Sequence, residues 1–132
     1  MTKRERIRAK FGGLCAYTGQ PLGDDWQVDH KAPRRLSRRW KKNIDVDAED
    51  NLVPCLRIVN YYKRGLGVEG FRKYIMKINK RIRGMKKKDG AYRKNMEKRC
   101  EFVERVAAAF GITEGASWDG VFYFERRADG DK

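Results

Sequence analysis

The sequence contains a single histidine, His30, and an aspartate, Asp29, directly precedes it. An imidazole can accept a proton near neutral pH, and a carboxylate can hold a hard cation through its oxygen atoms. The apolar patch at 26–28 predicts an extended segment, and neighbouring side chains of a strand point to opposite faces. Asp29 and His30 are therefore expected to have different roles, one binding a metal and the other moving a proton. Taken alone, a lone histidine is more often a bystander.

Two asparagines form a second group of polar residues. Asn51 opens a short apolar run, and Asn60 follows nine positions later, three residues before Lys63. Taken singly, such asparagines are typical of a turn and of a solvent-facing helix position. Their order along the chain is more informative. It reads Cys-x-Tyr-Thr-Gly at 15–19, Asp-His at 29–30, Asn-Leu at 51–52 and Asn-x-x-Lys at 60–63.

This ordered set resembles the HNH endonuclease family. In that family the ββα-metal core has Asp-His at the end of its first strand, Asn-Leu at the start of the second and Asn-x-x-Lys on the helix. The resemblance covers residues 14–65, and its opening motif is similar to that of HNH domains in CRISPR effector nucleases and some small phage proteins. Residues 66–127 are also similar to the C-terminal part of small phage-type HNH nucleases.

The resemblance implies a role for each matched residue. His30 would be the general base that takes a proton from water. Asp29 and Asn60 would hold one divalent cation, Mg²⁺ or Mn²⁺, through oxygen atoms. Asn51 would belong to the catalytic group by fixing the backbone around the histidine. Lys63 would lie near a DNA phosphate, with a solvated lysine at the helix end as the alternative.

The chain departs from the family at the positions of a structural zinc site. Many HNH proteins carry two Cys-x-x-Cys pairs there, and a structural zinc requires four ligands in tetrahedral geometry. The corresponding positions hold Cys15 with Thr18 and Leu56 with Val59, while Cys55 is one position out of step. We therefore expect no structural zinc. Apolar packing should replace it, with the cysteines buried and inert.

The charge of the chain points to an anionic partner. Lys and Arg number 32 against 18 Asp and Glu, which gives a net charge of +14 and makes nucleic acid the default partner. Seven of these cations, with no acid among them, lie between positions 31 and 42: Lys31, Arg34, Arg35, Arg38, Arg39, Lys41 and Lys42. Together with Lys63, they are expected to bind DNA phosphates without reading base sequence. Trp40, in the same stretch, is expected in the core.

The length of 132 residues fits one domain, here residues 1–132. The pattern predicts a helix over 2–10, short strands or loops between 14 and 63, and an amphipathic helix over 68–84. A second helix, with its apolar stripe at 92–110, should end at Gly111, and a strand should follow at 121–124. We expect an α+β fold in which a ββα-metal (His-Me finger) core at 14–65 is elaborated by N-terminal and C-terminal helices and a C-terminal strand.

These observations together favour a metal-dependent DNA endonuclease. One centre cuts one strand, so a monomer would nick duplex DNA, while a double-strand break would need a two-fold homodimer or two successive events. The absence of a long apolar run, a secretory stretch and a CxxC pair favours a cytoplasmic protein without membrane partners, in the host cytoplasm if phage-encoded. The alternatives are a non-catalytic basic nucleic-acid-binding protein and a degenerate HNH domain. A secreted toxin-type nuclease is disfavoured because export signals are absent and such toxins usually carry more histidines.

Overall fold

The computed structural model describes residues 1–33, 45–113 and 116–128. Within these ranges the chain forms an α+β fold with six α-helices and one two-stranded antiparallel sheet. In chain order the elements are α1 (Lys3–Ala9), β1 (Gln27–His30), β2 (Leu52–Cys55), α2 (Arg57–Lys63), α3 (Val68–Met76), α4 (Ile78–Gly84), α5 (Glu97–Ala109) and α6 (Tyr123–Ala128). No helix of these ranges has the length and apolar character that crossing a membrane requires.

The two strands and the helix that follows them form a ββα unit. The strands pair so that Gln27 lies opposite Cys55 and His30 lies opposite Leu52. Pro54 lies in the middle of β2, where it can donate no hydrogen bond, but its carbonyl accepts one from the backbone N–H of Ala16 at 2.9 Å. Helix α2 begins directly after β2 and packs against both β1 and α5.

Helix α1 packs against β2. The hydroxyl of Thr2 accepts a hydrogen bond from the backbone N–H of Glu5 and caps the helix. The helix buries Ile7 in a small apolar cluster with Trp26 and Leu52, which lie at the two strands. The predicted N-terminal helix is therefore present, and it supports the hairpin that carries Asp29.

The amphipathic segment over 68–84 is two helices rather than one. The backbone leaves helical geometry at Lys77, with φ −98° and ψ 6°. Phe71 and Ile75 before the break and Ile78 after it are all buried. The bend turns α4 along α5 while both halves keep their apolar side chains in one core. Sequence periodicity does not reveal such a bend because it preserves the spacing of the apolar residues.

The second long helix begins later than its apolar stripe suggests. Lys86 and Tyr92 form an antiparallel bridge around a turn at Gly90, whose φ is 90°. Asn95 has a φ of 65°, which prevents α5 from extending towards Tyr92. At the other end Gly111 adopts a φ of 73° directly after the helix, as the sequence predicts.

The strand predicted at 121–124 is wrong, because helix α6 starts at Tyr123. The backbone N–H groups of Tyr123 and Phe124 donate to the carbonyls of Tyr17 and Ala16, at 3.1 and 2.7 Å. The carboxylate of Glu125 accepts a hydrogen bond from the N–H of Phe122 at 2.9 Å. These bonds supply partners for N–H groups that a helix start leaves unpaired.

The aromatic side chains around α6 explain why the run at 121–124 is so apolar. The rings of Phe122 and Phe124 pack edge-on against Tyr17, with centroids 5.1 and 5.8 Å away, and Phe71 completes the cluster at 5.3 Å. The rings of Phe71, Phe122 and Phe124 thus pack around Tyr17, in the segment that precedes β1. These contacts, with the two backbone hydrogen bonds to residues 16 and 17, join α6 to that segment.

Candidate catalytic and metal-binding site

The end of β1 separates Asp29 and His30 as strand alternation predicts. Asp29 is turned inward, with 6% of its surface exposed, whereas His30 is partly exposed. Their different surroundings suit different chemistry. A buried carboxylate needs a compensating partner, and a partly exposed imidazole can reach water.

Asp29 is held by two buried side chains that contact the same carboxylate oxygen. The hydroxyl of Tyr17 donates to Oδ2 of Asp29 at 2.5 Å, and Nζ of Lys63 lies 3.1 Å from that oxygen. Burial, together with the negative charge of Asp29, raises the pKa of Tyr17 well above its usual value. Tyr17 is therefore a proton donor to Asp29 at any physiological pH. Among the described residues, no hydrogen-bond donor reaches Oδ1 of Asp29.

Lys63 is not placed as the sequence suggests. Only 1% of the residue is exposed, and its ammonium group also donates to the backbone carbonyl of His30 at 3.0 Å. Two expectations for Lys63, a direct contact with a DNA phosphate and a solvated position at the helix end, are wrong because the side chain is buried. The physical reason is Asp29, whose buried charge requires a cation, and α2 supplies it.

His30 contacts a carboxylate that the sequence analysis did not select. Nε2 of His30 lies 2.8 Å from Oδ1 of Asp47, in the loop before β2. Asp45 stabilises this loop by accepting a hydrogen bond from the N–H of Asp47 at 3.0 Å. When Nε2 donates its proton to Asp47, the lone pair of Nδ1 is the one that can accept a proton from water.

Asn51 joins the segment after His30 to the loop that carries Asp47. Its Oδ1 accepts from the N–H of Ala32 at 2.9 Å, and its Nδ2 donates to the carbonyls of Ala32 and Val46 at 3.0 and 2.7 Å. Its own carbonyl accepts from the N–H of Lys31 at 2.9 Å. These contacts are those of a residue that fixes the backbone around His30, which is the role that the resemblance implies for it.

Asn60 is aligned by the strand that carries Asp29. Its Nδ2 donates to Oε1 of Gln27 at 2.6 Å, and Gln27 lies two residues before Asp29 on the same face of β1. No donor among the described residues reaches Oδ1 of Asn60. Gln27 and Tyr17 were both missed as site residues. The signals were present, since Gln27 has the strand spacing to Asp29 and Tyr17 lies in the opening motif.

The oxygen donors of Asp29 and Asn60 suit a hard cation. Mg²⁺ is commonly held by one or two protein oxygens, with water and substrate phosphates completing six-fold coordination. Among the described residues no donor reaches Oδ1 of Asp29 or Oδ1 of Asn60, so both oxygens are available to such a cation. The described residues contain no group of three or more His, Cys, Asp and Glu side chains that could hold a metal ion.

The residues that correspond to the zinc site of many HNH proteins are packed together in the interior of this chain. All three cysteines are buried, as expected. Burial tends to raise the pKa of Cys15, but hydrogen bonds with Cys55 and Thr18 outweigh it and lower that pKa to about 6. Burial raises the pKa of Cys55 well above its usual value. Val59 is fully buried, and Leu56 packs against the same core.

Most of the basic stretch lies outside the described residues. Lys31 is described, and its ammonium group lies 5.3 Å from the centre of the Phe124 ring. The remaining candidates for DNA contact, and Trp40 with them, are outside the described ranges: Arg34, Arg35, Arg38, Arg39, Lys41 and Lys42. Their expected role in phosphate binding stays a prediction.

Comparisons of this chain with protein-family models, with curated proteins and with solved structures give no significant match. Two features of the chain itself bear on the class of the protein: the order of the polar residues along the chain and the contacts among them in the ββα unit.

Proposed function

We propose that this protein is a metal-dependent DNA endonuclease of the HNH type. The observation that carries the proposal is the set of contacts around the end of β1. Lys63 of α2 contacts both Asp29 and the carbonyl of His30, and Asn51 holds the segment that follows. The three segments that supply these residues, at 29–30, 51 and 63, are well separated in the chain, and they occur in the order of the HNH motif.

In this proposal His30 acts as the general base. Its imidazole accepts a proton from the attacking water as the water oxygen bonds to phosphorus and the bond to the 3′ oxygen breaks. Asp47 orients the ring through Nε2 and stabilises the positive charge that His30 gains. Asn51 keeps the backbone on both sides of the ring in place.

Asp29 and Asn60 are the proposed ligands of one Mg²⁺ or Mn²⁺ ion. When bound, the cation supplies positive charge to the phosphate oxygens and the departing 3′ oxygen. Tyr17 and Lys63 hold and orient the Asp29 carboxylate through Oδ2. Gln27 keeps the amide of Asn60 oriented in the same way through Nδ2.

The charge of the protein supports DNA as the substrate. A net charge of +14 favours binding to a polyanion, and the basic stretch follows His30 directly in the chain. Charge alone supports a non-catalytic binding protein equally well. A binding protein that acts through charge alone does not require a buried Lys63–Asp29 pair next to a His30–Asp47 contact. The presence of both contacts favours the nuclease.

Conversion of supercoiled plasmid to open circles tests the proposal. Wild-type protein is incubated with Mg²⁺, with Mn²⁺ and with EDTA, beside His30→Ala prepared in the same way. We expect metal-dependent nicking that falls about 10²-fold to 10⁴-fold in the variant, because a positioned general base contributes that much. Equal unfolding temperatures of the two proteins show that the variant is folded, and binding in EDTA shows that both still bind DNA. Binding by the wild type without cleavage of either the plasmid or a single-stranded oligonucleotide, under either metal, would contradict the nuclease.

The ligand assignment is tested separately by the metal requirement. Asn60→Ala should need a higher Mg²⁺ concentration for half-maximal nicking, because one of two protein oxygens is lost. Asn79→Ala is the matched control, since Asn79 lies on α4 and bonds only the carbonyl of Ala116 among the described residues. Full activity of Asn60→Ala at limiting Mg²⁺ would contradict its role as a ligand.

A further inference from the structure

A groove lined by aromatic rings and cations lies beside the candidate site, between α2 and α5. Its volume is about 370 Å³. Tyr61, Arg64, Lys98, Arg99 and Phe102 line its outer part, and no Asp or Glu is among its described lining residues. A concave surface with this composition suits a ligand that is both planar and negatively charged.

Tyr61 is the exposed aromatic residue of this groove. Its residue surface is 64% exposed, and no other aromatic residue of the described ranges is as exposed. The ring is nevertheless held in place, because it packs edge-on against Phe102 with centroids 5.5 Å apart. The guanidinium of Arg64 lies 5.9 Å from the centre of the same ring. A fixed and exposed ring can stack on a nucleobase with little further loss of conformational freedom.

The cations of the groove differ in how they are used. Arg81, deeper in the groove, donates hydrogen bonds to the hydroxyls of Tyr62 and Tyr74 and supports the wall. Lys98 and Arg99 lie in the first turn of α5. Within the described part of the chain, neither Lys98 nor Arg99 forms an ion pair with a carboxylate. Their charges are therefore available to phosphate groups.

The position of Tyr61 relates the groove to the candidate site. Tyr61 directly follows Asn60 on α2, so their Cα atoms are about 3.8 Å apart and their side chains are rotated by about 100°. Asn60 faces β1, whereas Tyr61 faces α5. A nucleic-acid strand that leaves the site around α2 would reach the groove within a few nucleotides.

We propose that this groove binds an unpaired segment of the DNA substrate, with one base stacked on Tyr61 and the adjoining phosphates near Arg64, Lys98 and Arg99. The inference rests on the proposed nuclease function for the identity of the ligand. Stacking on a side chain requires an exposed base face, which a continuous duplex does not offer. The protein should therefore prefer single-stranded or branched DNA to fully paired DNA.

Binding in EDTA tests this without any cleavage. A fluorescein-labelled oligothymidylate and a duplex of equal length are titrated with protein, and the affinity is read by fluorescence anisotropy. Tyr61→Ala should weaken single-strand binding about 5-fold to 150-fold, because stacking on one base contributes 1–3 kcal/mol. Tyr61→Phe keeps the ring and should bind as the wild type does. Met76→Ala, which alters an exposed side chain outside the groove, is the matched control.

Two further variants separate stacking from charge and from folding. Tyr61→Leu retains apolar contact with Phe102 but has no ring, so it should lose single-strand affinity while unfolding at the wild-type temperature. Lys98→Ala with Arg99→Ala should lower the slope of log K against log salt by roughly 0.7 for each cation lost.

Unchanged single-strand affinity in both Tyr61→Ala and Tyr61→Leu would overturn the inference, as would an equal loss on the duplex. Tighter binding of a matched oligouridylate would overturn DNA as the ligand in favour of RNA. Failure of the nuclease is a different result. It would appear as Tyr61-dependent binding without any metal-dependent cleavage of plasmid or oligonucleotide.

Discussion

Nζ of Lys63 lies 3.1 Å from Oδ2 of Asp29, and both side chains are buried. The pair ties α2 to the end of β1, and the hydroxyl of Tyr17 completes the surroundings of the same oxygen. A charge of either sign alone at this depth would be costly, so the two residues depend on each other. This pair underlies the geometry of the whole candidate site.

Lys63→Met should strongly destabilise the protein. Removing one partner of a buried ion pair leaves the other charge uncompensated and costs about 3–5 kcal/mol of unfolding free energy. Lys73→Met, at an exposed position of α3, is the control and should cost less than about 0.5 kcal/mol. Urea denaturation measures both. Adding Asp29→Asn to Lys63→Met should restore part of the loss, and a purely additive double variant would contradict the pairing.

Asn51→Ala should reduce both stability and activity. Its side chain makes three hydrogen bonds with the backbone of Ala32 and Val46, and losing them should cost about 2–3 kcal/mol. The rate of nicking should fall by a larger factor than the fraction of folded protein, because the segment after His30 is no longer held in place by Asn51. Plasmid nicking below the unfolding transition measures this effect, with Asn79→Ala as control. Wild-type nicking by a folded Asn51→Ala protein would refute the positioning role.

Asp47→Asn should slow nicking while leaving the fold intact. The carboxylate that contacts Nε2 of His30 is replaced by a neutral amide, so the ring loses the partner that orients it and balances its charge. We expect a loss of about 10-fold or more, part of the 10²-fold to 10⁴-fold that a general base contributes. Asp24→Asn removes the same charge from an exposed loop and should leave the rate of nicking unchanged. An equal change in the two variants would mean that only net charge matters.

The contact between Arg72 and Glu125 should make α6 sensitive to acid. Arg72 donates two hydrogen bonds to Glu125, at 2.7 and 2.6 Å, and these hold the pKa of Glu125 below its usual value. Because the folded-state pKa is the lower one, the stabilisation is present above the unfolded value of about 4.3. It is lost as the pH falls through the folded-state pKa.

Glu125→Gln measures this contribution. At neutral pH the variant should be less stable than the wild type by about 1–2 kcal/mol, and the difference should shrink as acid protonates the wild-type carboxylate. Urea denaturation at a series of pH values gives the comparison. Glu69→Gln, which removes the more exposed carboxylate from the same arginine, should show a smaller effect. A stability difference that is constant with pH would contradict the assignment.

Metal analysis tests the expected absence of structural zinc. Where many HNH proteins carry two Cys-x-x-Cys pairs, this chain has Cys15 but has Thr18, Leu56 and Val59 in place of the other three cysteines. Protein purified without chelator should contain zinc well below one equivalent, and EDTA should leave its unfolding temperature unchanged. Stoichiometric zinc that resists EDTA would show that Cys15 and Cys55 recruit ligands from elsewhere.

Local patterns predicted those parts of the fold that depend on neighbouring residues. The N-terminal helix, the apolar stripe from Phe71 onwards and the helix end at Gly111 are all present. The failures occur where distant contacts decide. The aromatic run at 121–124 has the composition of a strand. Two of its backbone N–H groups instead donate hydrogen bonds to the carbonyls of residues 16 and 17, and the chain continues from there as a helix.

The sequence by itself determined which reactive groups are available, their order along the chain and the excess of positive charge. Only the tertiary structure decided that Lys63 is buried against Asp29, that Asp47 reaches His30 and that Tyr61 is exposed beside Phe102. Residue types and periodicity report the local backbone and its apolar face. The partner of a buried charge depends on how separate elements pack, because burial makes an uncompensated charge costly wherever its partner lies in the chain.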